Sequence, residues 1–180
     1  MISVVILVSI ILGSVLIDQI VKIIVDSSMA VGETVPVIKD IFHFTYIQNK
    51  GAAFGMLSNN RWVFMIISSV AIVAILVYLF KYCTEPLLTK IGFALIVGGG
   101  IGNMIDRIFL GYVVDMIDCR FIDFYVFNIA DSCVCVGAGI VALGFILSMV
   151  KEYKEKKAMA QCSNTVAESD SGITEGNHDN

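Results

Sequence analysis

The sequence predicts an all-α polytopic membrane protein, a four-transmembrane-helix bundle with a small extracytoplasmic β-rich cradle. Three observations carry that expectation. The 180 residues are 57% hydrophobic with only two prolines, and the mean hydropathy of +0.85 is too high for an ordinary soluble domain. The runs Trp62 to Phe80 and Ser132 to Val150 carry no charge, and at about 1.5 Å per helical residue each can cross roughly 30 Å of hydrocarbon. Between them and the N-terminus, a segment from Glu33 to Asn49 alternates apolar and polar residues as a short strand does.

The first helix is expected over about 2–25. Its apolar stretch resembles a signal peptide, but no basic residue precedes it and no small-residue cleavage site follows, so a retained helix is expected. The outer β-rich loop follows over about 33–57, where Phe42-His43-Phe44-Thr45-Tyr46 alternates and Gly32 and Pro36 punctuate. Such a loop caps the helices or grips an extended peptide by strand addition. Helices are then expected over about 62–82, 89–108 and 129–150, the third containing Val97-Gly98-Gly99-Gly100-Ile101-Gly102, whose small residues allow close backbone approach. That run imitates a dinucleotide fingerprint, but Asn103 replaces the last glycine and no strand–helix unit surrounds it.

Lysines set the orientation. Lys81 and Lys90 flank the second connection, and Lys151, Lys154, Lys156 and Lys157 follow the last span. The positive-inside rule makes those sides cytoplasmic, with both termini there and the first and third connections outward, although Lys39, Lys50, Arg61 and Arg120 make the bias imperfect. The net charge of −4 comes entirely from Glu168, Asp170, Glu175 and Asp179, so the membrane domain, about 1–157, is charge-balanced. Residues 158–180 have little apolar content and read as a disordered cytoplasmic tail. No basic patch suits nucleic acid. No histidine cluster accompanies the cysteines, so no metal site is expected; Cys133 and Cys135 read as packing residues and Cys119 as a loop thiol.

Depth gathers the polar residues at one level. Asp18 and Lys22 are one turn apart and able to pair; Asn103, Asp106 and Arg107 share a face of the third helix; Asn128 and Asp131 begin the fourth. Asp115, in Gly111-Tyr112-Val113-Val114-Asp115, lies in the short segment between the last two spans. A carboxylate at mid-bilayer costs about 2.5 to 3.5 kcal/mol on insertion scales, so ionisable groups at this depth usually carry a function. Two carboxylates brought close share one proton, and such a pair can activate water while polarising a carbonyl. The alternative is two helix-boundary charges, Asp131 being favoured by the helix dipole.

The blocks Asp18-Gln19-Ile20-Val21-Lys22, Asn49-Lys50-Gly51-Ala52-Ala53-Phe54-Gly55, Gly99-Gly100-Ile101-Gly102-Asn103-Met104-Ile105-Asp106-Arg107, Gly111 to Asp115 and Phe127-Asn128-Ile129-Ala130-Asp131-Ser132 resemble, in order, the signature motifs of the lipoprotein signal peptidases, or signal peptidase II. The resemblance covers about residues 1–157. It implies an aspartic endopeptidase of the bacterial inner membrane that cuts prolipoproteins before a diacylglyceryl-modified cysteine, without metal or organic cofactor. By the same resemblance Asp115 and Asp131 are the catalytic dyad, and Asp18, Lys22, Asn49, Gly51, Gly99, Asn103, Asp106, Arg107 and Asn128 bind substrate or support the site. The implied partners are the lipid-modified substrate and membrane lipids; the chain is expected to work as a monomer. Met116 departs from the family pattern, which commonly has a bulky aromatic there. Two other classes remain open at this level. A transporter would spread polar residues through the membrane depth, and a noncatalytic chaperone would not need both aspartates.

Overall fold

The computed structural model describes residues 2–51, 61–122 and 124–174. In chain order the elements are helix α1 (Ile2–Ser28), strands β1 (Thr34–Ile38) and β2 (Phe42–Asn49), and helix α2 (Arg61–Val77), which ends in a π-helical turn (Tyr78–Tyr82). Helix α3 (Leu87–Phe109), strand β3 (Val113–Cys119), a 3-10 turn (Arg120–Ile122) and helix α4 (Ile129–Thr174) complete the fold. Each helix contains a stretch long and apolar enough to cross a membrane: Ser3–Ser28, Met65–Tyr82, Leu87–Phe109 and Ile129–Met159. The residues Ala52 to Gly55 of the second sequence block, and with them the end of the expected β-rich loop, lie outside the described residues.

Helix α3 is the least apolar of these spans, with mean hydropathy 1.5 against 2.1 to 2.5, and is nonetheless the most buried. Its glycines explain how. Successive residues of a helix point about 100° apart, and Gly98, Gly99 and Gly100 face three different helices. A Cβ on Gly98 would meet the Ser14 hydroxyl of α1 at 1.9 Å, one on Gly99 the Ala130 carbonyl oxygen of α4 at 2.3 Å, and one on Gly100 the Ile72 side chain of α2 at 3.1 Å. Further along the same contact Gly92 and Gly137 oppose each other backbone to backbone, each Cβ position lying 2.6 to 2.8 Å from the other's carbonyl oxygen. The run therefore makes room for helices, and Gly99 is a packing residue at the head of α4. Leu7, Ile11, Leu79, Ala94 and Val97 fill the apolar core beside it.

Gly99→Ala is accordingly expected to push the head of α4 away and to destabilise the protein by the roughly 1 to 3 kcal/mol typical of overpacking. Gly139→Ala, where a Cβ meets nothing within 4 Å, serves as control. Thermal unfolding in detergent should separate the two variants, and equal midpoints would contradict this packing.

The strands form one antiparallel sheet in the order β1-β2-β3. The third strand was not expected from sequence. Val113, Val114, Asp115 and Met116 are all buried, so this strand lacks the alternation that exposes a strand to view. In β2 the period of two is present but inverted: His43 and Thr45 are buried, whereas Phe44 is 36% exposed and meets Phe42 edge-on with ring centroids 5.3 Å apart. The reason is the neighbour. One face of the sheet lies on the end of α1, where Val25, Tyr46, Val114 and Met116 form a second core, and Thr45 there donates to Asp118 at 2.7 Å. The register shifts between Phe44 and Ile47, the mark of a bulge.

Residues Met1–Val141 and Ala142–Asn180 are separate compact units. Within the second, α4 continues to Thr174. Good helix formers from Glu152 to Gln161 and the pairs Lys151–Glu155 at 3.9 Å and Glu152–Lys156 at 2.7 Å favour that continuation.

Candidate active site

The head of α4 fixes the first carboxylate. Asn128 is the N-cap residue: its side-chain oxygen accepts the Asp131 N–H at 2.9 Å, and the Asp131 carboxylate receives the Asn128 N–H at 3.4 Å. This reciprocal pair is a capping box with aspartate in the third position. Asp131 therefore sits in the first turn of α4, where the helix dipole favours a carboxylate. The Asn103 amide donates to its other oxygen at 2.7 Å.

The second carboxylate comes from β3. Asp115 is paired across the sheet with Ile47, and its oxygens accept the Asn49 amide at 2.9 Å and the Asn128 amide at 2.6 Å. Asn128 also donates to the Asn103 side chain at 3.0 Å. Asn128 and Asn103 thus link the two carboxylates through neutral amides. Burial pushes Asp115 up to about 6 from 3.8, and the Asp131 charge adds to the rise, against the opposing hydrogen bonds from Asn49 and Asn128.

Behind these groups lies a buried ionic cluster. The Lys22 ammonium has three donors and three acceptors: Asp18 at 2.8 Å, Asp106 at 2.9 Å and the Asn103 side-chain oxygen at 2.8 Å. The side chains of Lys22, Asp18 and Asp106 are only 3%, 1% and 2% exposed, so the valences must be filled internally, and they are. Asp18 accepts the Ala130 N–H at 2.8 Å, and Asp106 accepts the Val114 N–H at 3.1 Å. The cluster therefore grips the backbone beside Asp131 and beside Asp115. Gln19 completes it, donating to Asp18 at 3.3 Å, the Gly102 carbonyl at 3.1 Å and Asp106 at 2.9 Å.

Both carboxylates line one cleft of about 750 Å³, together with Asn49, Gly51, Asn103 and Arg107 on the polar side. Ile47, Val113, Ile122, Phe124, Val126 and Phe127 supply apolar wall. Phe127 is held by exchanging backbone hydrogen bonds with Ile117 at 2.7 and 3.0 Å. Asn49 also accepts the Gly51 N–H at 3.0 Å, and Arg107 donates to the Asn103 carbonyl at 3.2 Å. The expected site residues thus divide into those that line the cleft, those in the cluster behind it (Asp18, Lys22, Asp106), the buried bridge Asn128, and Gly99 in the helix contact. Sequence reasoning missed Gln19, although a long amide between Asp18 and Lys22 in an apolar helix is a visible signal. It also misplaced two thiols. Cys119 ends β3 rather than lying in a loop, and Cys135, one turn beyond Asp131, is exposed on the cleft wall while Cys133 is partly buried. Among the described residues no cluster of metal ligands occurs.

The family model described as signal peptidase (SPase) II matches residues 10–147. A lipoprotein signal peptidase of Halothermothrix orenii is 47% identical over 129 residues, covering 72% of this chain and 87% of that protein. One of Halalkalibacterium halodurans is 42% identical over 146 residues, covering 80% and 94%. A solved bacterial membrane enzyme structure, obtained by the in meso method at 2.3 Å, superposes with a TM-score of 0.74 at 32% identity, covering 83% of this chain and 90% of that one. With the ordered motifs, the four spans and the matched family, this chain belongs to the signal peptidase II family and is a multi-pass membrane protease of lipoprotein processing.

Proposed function

We propose that Asp115 and Asp131 are the catalytic dyad of an aspartic endopeptidase that removes the signal peptide of prolipoproteins immediately before a diacylglyceryl-modified cysteine. The observation that carries this reading is the convergence of two carboxylates from different elements on one cleft, each held by amides. The dyad holds one proton. Its ionised member takes a proton from a water as that oxygen attacks the scissile carbonyl, and its protonated member donates to the carbonyl oxygen; as the tetrahedral intermediate collapses and the C–N bond breaks, the proton taken from water passes to the leaving amine and the carbonyl-oxygen proton returns to the carboxylate that gave it. No metal or organic cofactor enters this scheme.

The apolar wall and the buried cluster suit a substrate anchored in the bilayer. Peptide lies along Asn49, Arg107 and the dyad, while acyl chains follow the apolar flank into lipid. The lysine bias supports placing the cleft at the outer face of the bacterial cytoplasmic membrane, with both termini inside, and the chain is proposed to act as a monomer.

The dyad reading predicts a pH dependence with a definite sign. Asp115 is raised to about 6, so the singly protonated pair of the free enzyme persists up to that pH, and kcat/KM declines above it, about tenfold per pH unit. Bound substrate expels water and disfavours the charged form further, so the limb in kcat lies at higher pH than the limb in kcat/KM. Rates measured from pH 4 to 9 with a diacylglyceryl peptide in detergent test this. A kcat/KM that stays flat across the whole range would exclude a proton-sharing pair.

A further inference from the structure

Helix α1 carries three charges one turn apart, Asp18, Lys22 and Asp26. Asp18 holds the head of α4 and Lys22 holds α3. Asp26 does neither. Its carboxylate accepts a hydrogen bond from the Tyr46 hydroxyl of β2, and the Gln48 amide donates to the same hydroxyl at 3.0 Å. Tyr46 is only 1% exposed and its ring packs in the core shared with Val25, Val114 and Met116. Burial and the Asp26 carboxylate keep the hydroxyl well above the usual tyrosine range, so it remains a donor.

The place of Tyr46 in the strand gives this contact its consequence. Phe44 pairs with Ile117 and Ile47 with Asp115, so Thr45 and Tyr46 occupy the bulge where the register of β2 against β3 is set. A strand that slips by one residue there turns every following side chain to the other face. Three residues later Asn49 donates to Asp115 at 2.9 Å. We propose that Asp26 and Tyr46 are positioning residues for cleavage, a latch that fixes the bulge of β2 to α1 and thereby holds Asn49 against Asp115. With it, α1 aligns three elements that bring polar groups to the cleft: α4 through Asp18, α3 through Lys22 and the sheet through Asp26.

This inference rests on the Asp115/Asp131 reading, and the two can fail separately. The experiment measures kcat, KM and thermal midpoint, with a diacylglyceryl peptide in detergent, for wild type, Tyr46→Phe, Asp26→Ala, Asn49→Ala, the double variant Tyr46→Phe/Asn49→Ala and Asp115→Asn. Tyr46→Phe keeps the ring in its core, and Asp26 is exposed at the end of its helix, so folding is preserved in at least the second. Both single latch variants lower kcat on the order of tenfold, the scale of one charge-assisted hydrogen bond, with KM and midpoint close to wild type. In the Asn49→Ala background, Tyr46→Phe adds little further loss, because the group it positions is gone. Wild-type kcat in Tyr46→Phe and Asp26→Ala, losses that multiply with Asn49→Ala, or losses that only track the midpoint would overturn the latch. Activity retained in Asp115→Asn would instead remove the dyad reading beneath it.

Discussion

Asp115→Asn and Asp131→Asn each reduce kcat by at least about 10³-fold, within the range that general acid–base groups contribute, while the protein stays folded and membrane-inserted. The isosteric amide explains why folding survives. Asn at 131 keeps a carbonyl oxygen for the Asn128 N–H or the Asn103 amide, and Asn at 115 keeps one for Asn49 or Asn128. What is lost is the ability to take or give a proton at that oxygen. Turnover of a diacylglyceryl peptide, with size-exclusion profile and thermal midpoint alongside, checks this. Activity above a few per cent of wild type in either variant would remove that residue from the chemistry.

Lys22→Met has the largest expected effect on stability. Methionine matches the length of the lysine stem, but the change leaves Asp18 and Asp106 facing each other, both almost fully buried. Removing one partner of a buried ion pair costs about 3 to 5 kcal/mol because the remaining charge is uncompensated. Against a total stability of about 5 to 15 kcal/mol, that is enough to lower the thermal midpoint sharply. Activity falls with it, since the cluster grips the backbone at Ala130 and Val114. Neutralising one acid in the double variant Lys22→Met/Asp106→Asn should restore part of the midpoint. An unchanged midpoint in Lys22→Met would mean that the cluster does not carry the fold.

Much of this site is legible in the sequence because charge in an apolar background is costly. Asp18 and Lys22 declare a pairing by spacing alone, and Asn103, Asp106 and Arg107 declare a face. The parts that stay hidden are those set by long-range contact. β3 is buried along most of its length, so Val113 to Met116 read as a linker. Tyr46 ends an alternating run whose polar members face inward, and its bond to Asp26 joins residues 20 apart in sequence. The glycines of α3 announce close approach without saying to what, and the answer differs for each of three neighbours in a row.

On the proposed function this cleft cuts one bond, before a lipid-bearing cysteine, by means of the two aspartates. Mass spectrometry of the products tests it most directly. Purified wild type and Asp131→Asn are each given a signal-peptide substrate with a diacylglyceryl cysteine and its unmodified twin. The account predicts that only wild type cuts, that it cuts only the lipidated peptide, and that the C-terminal product begins at the modified cysteine. A different cleaved bond, equal cleavage of the unmodified peptide, or products from Asp131→Asn would contradict it.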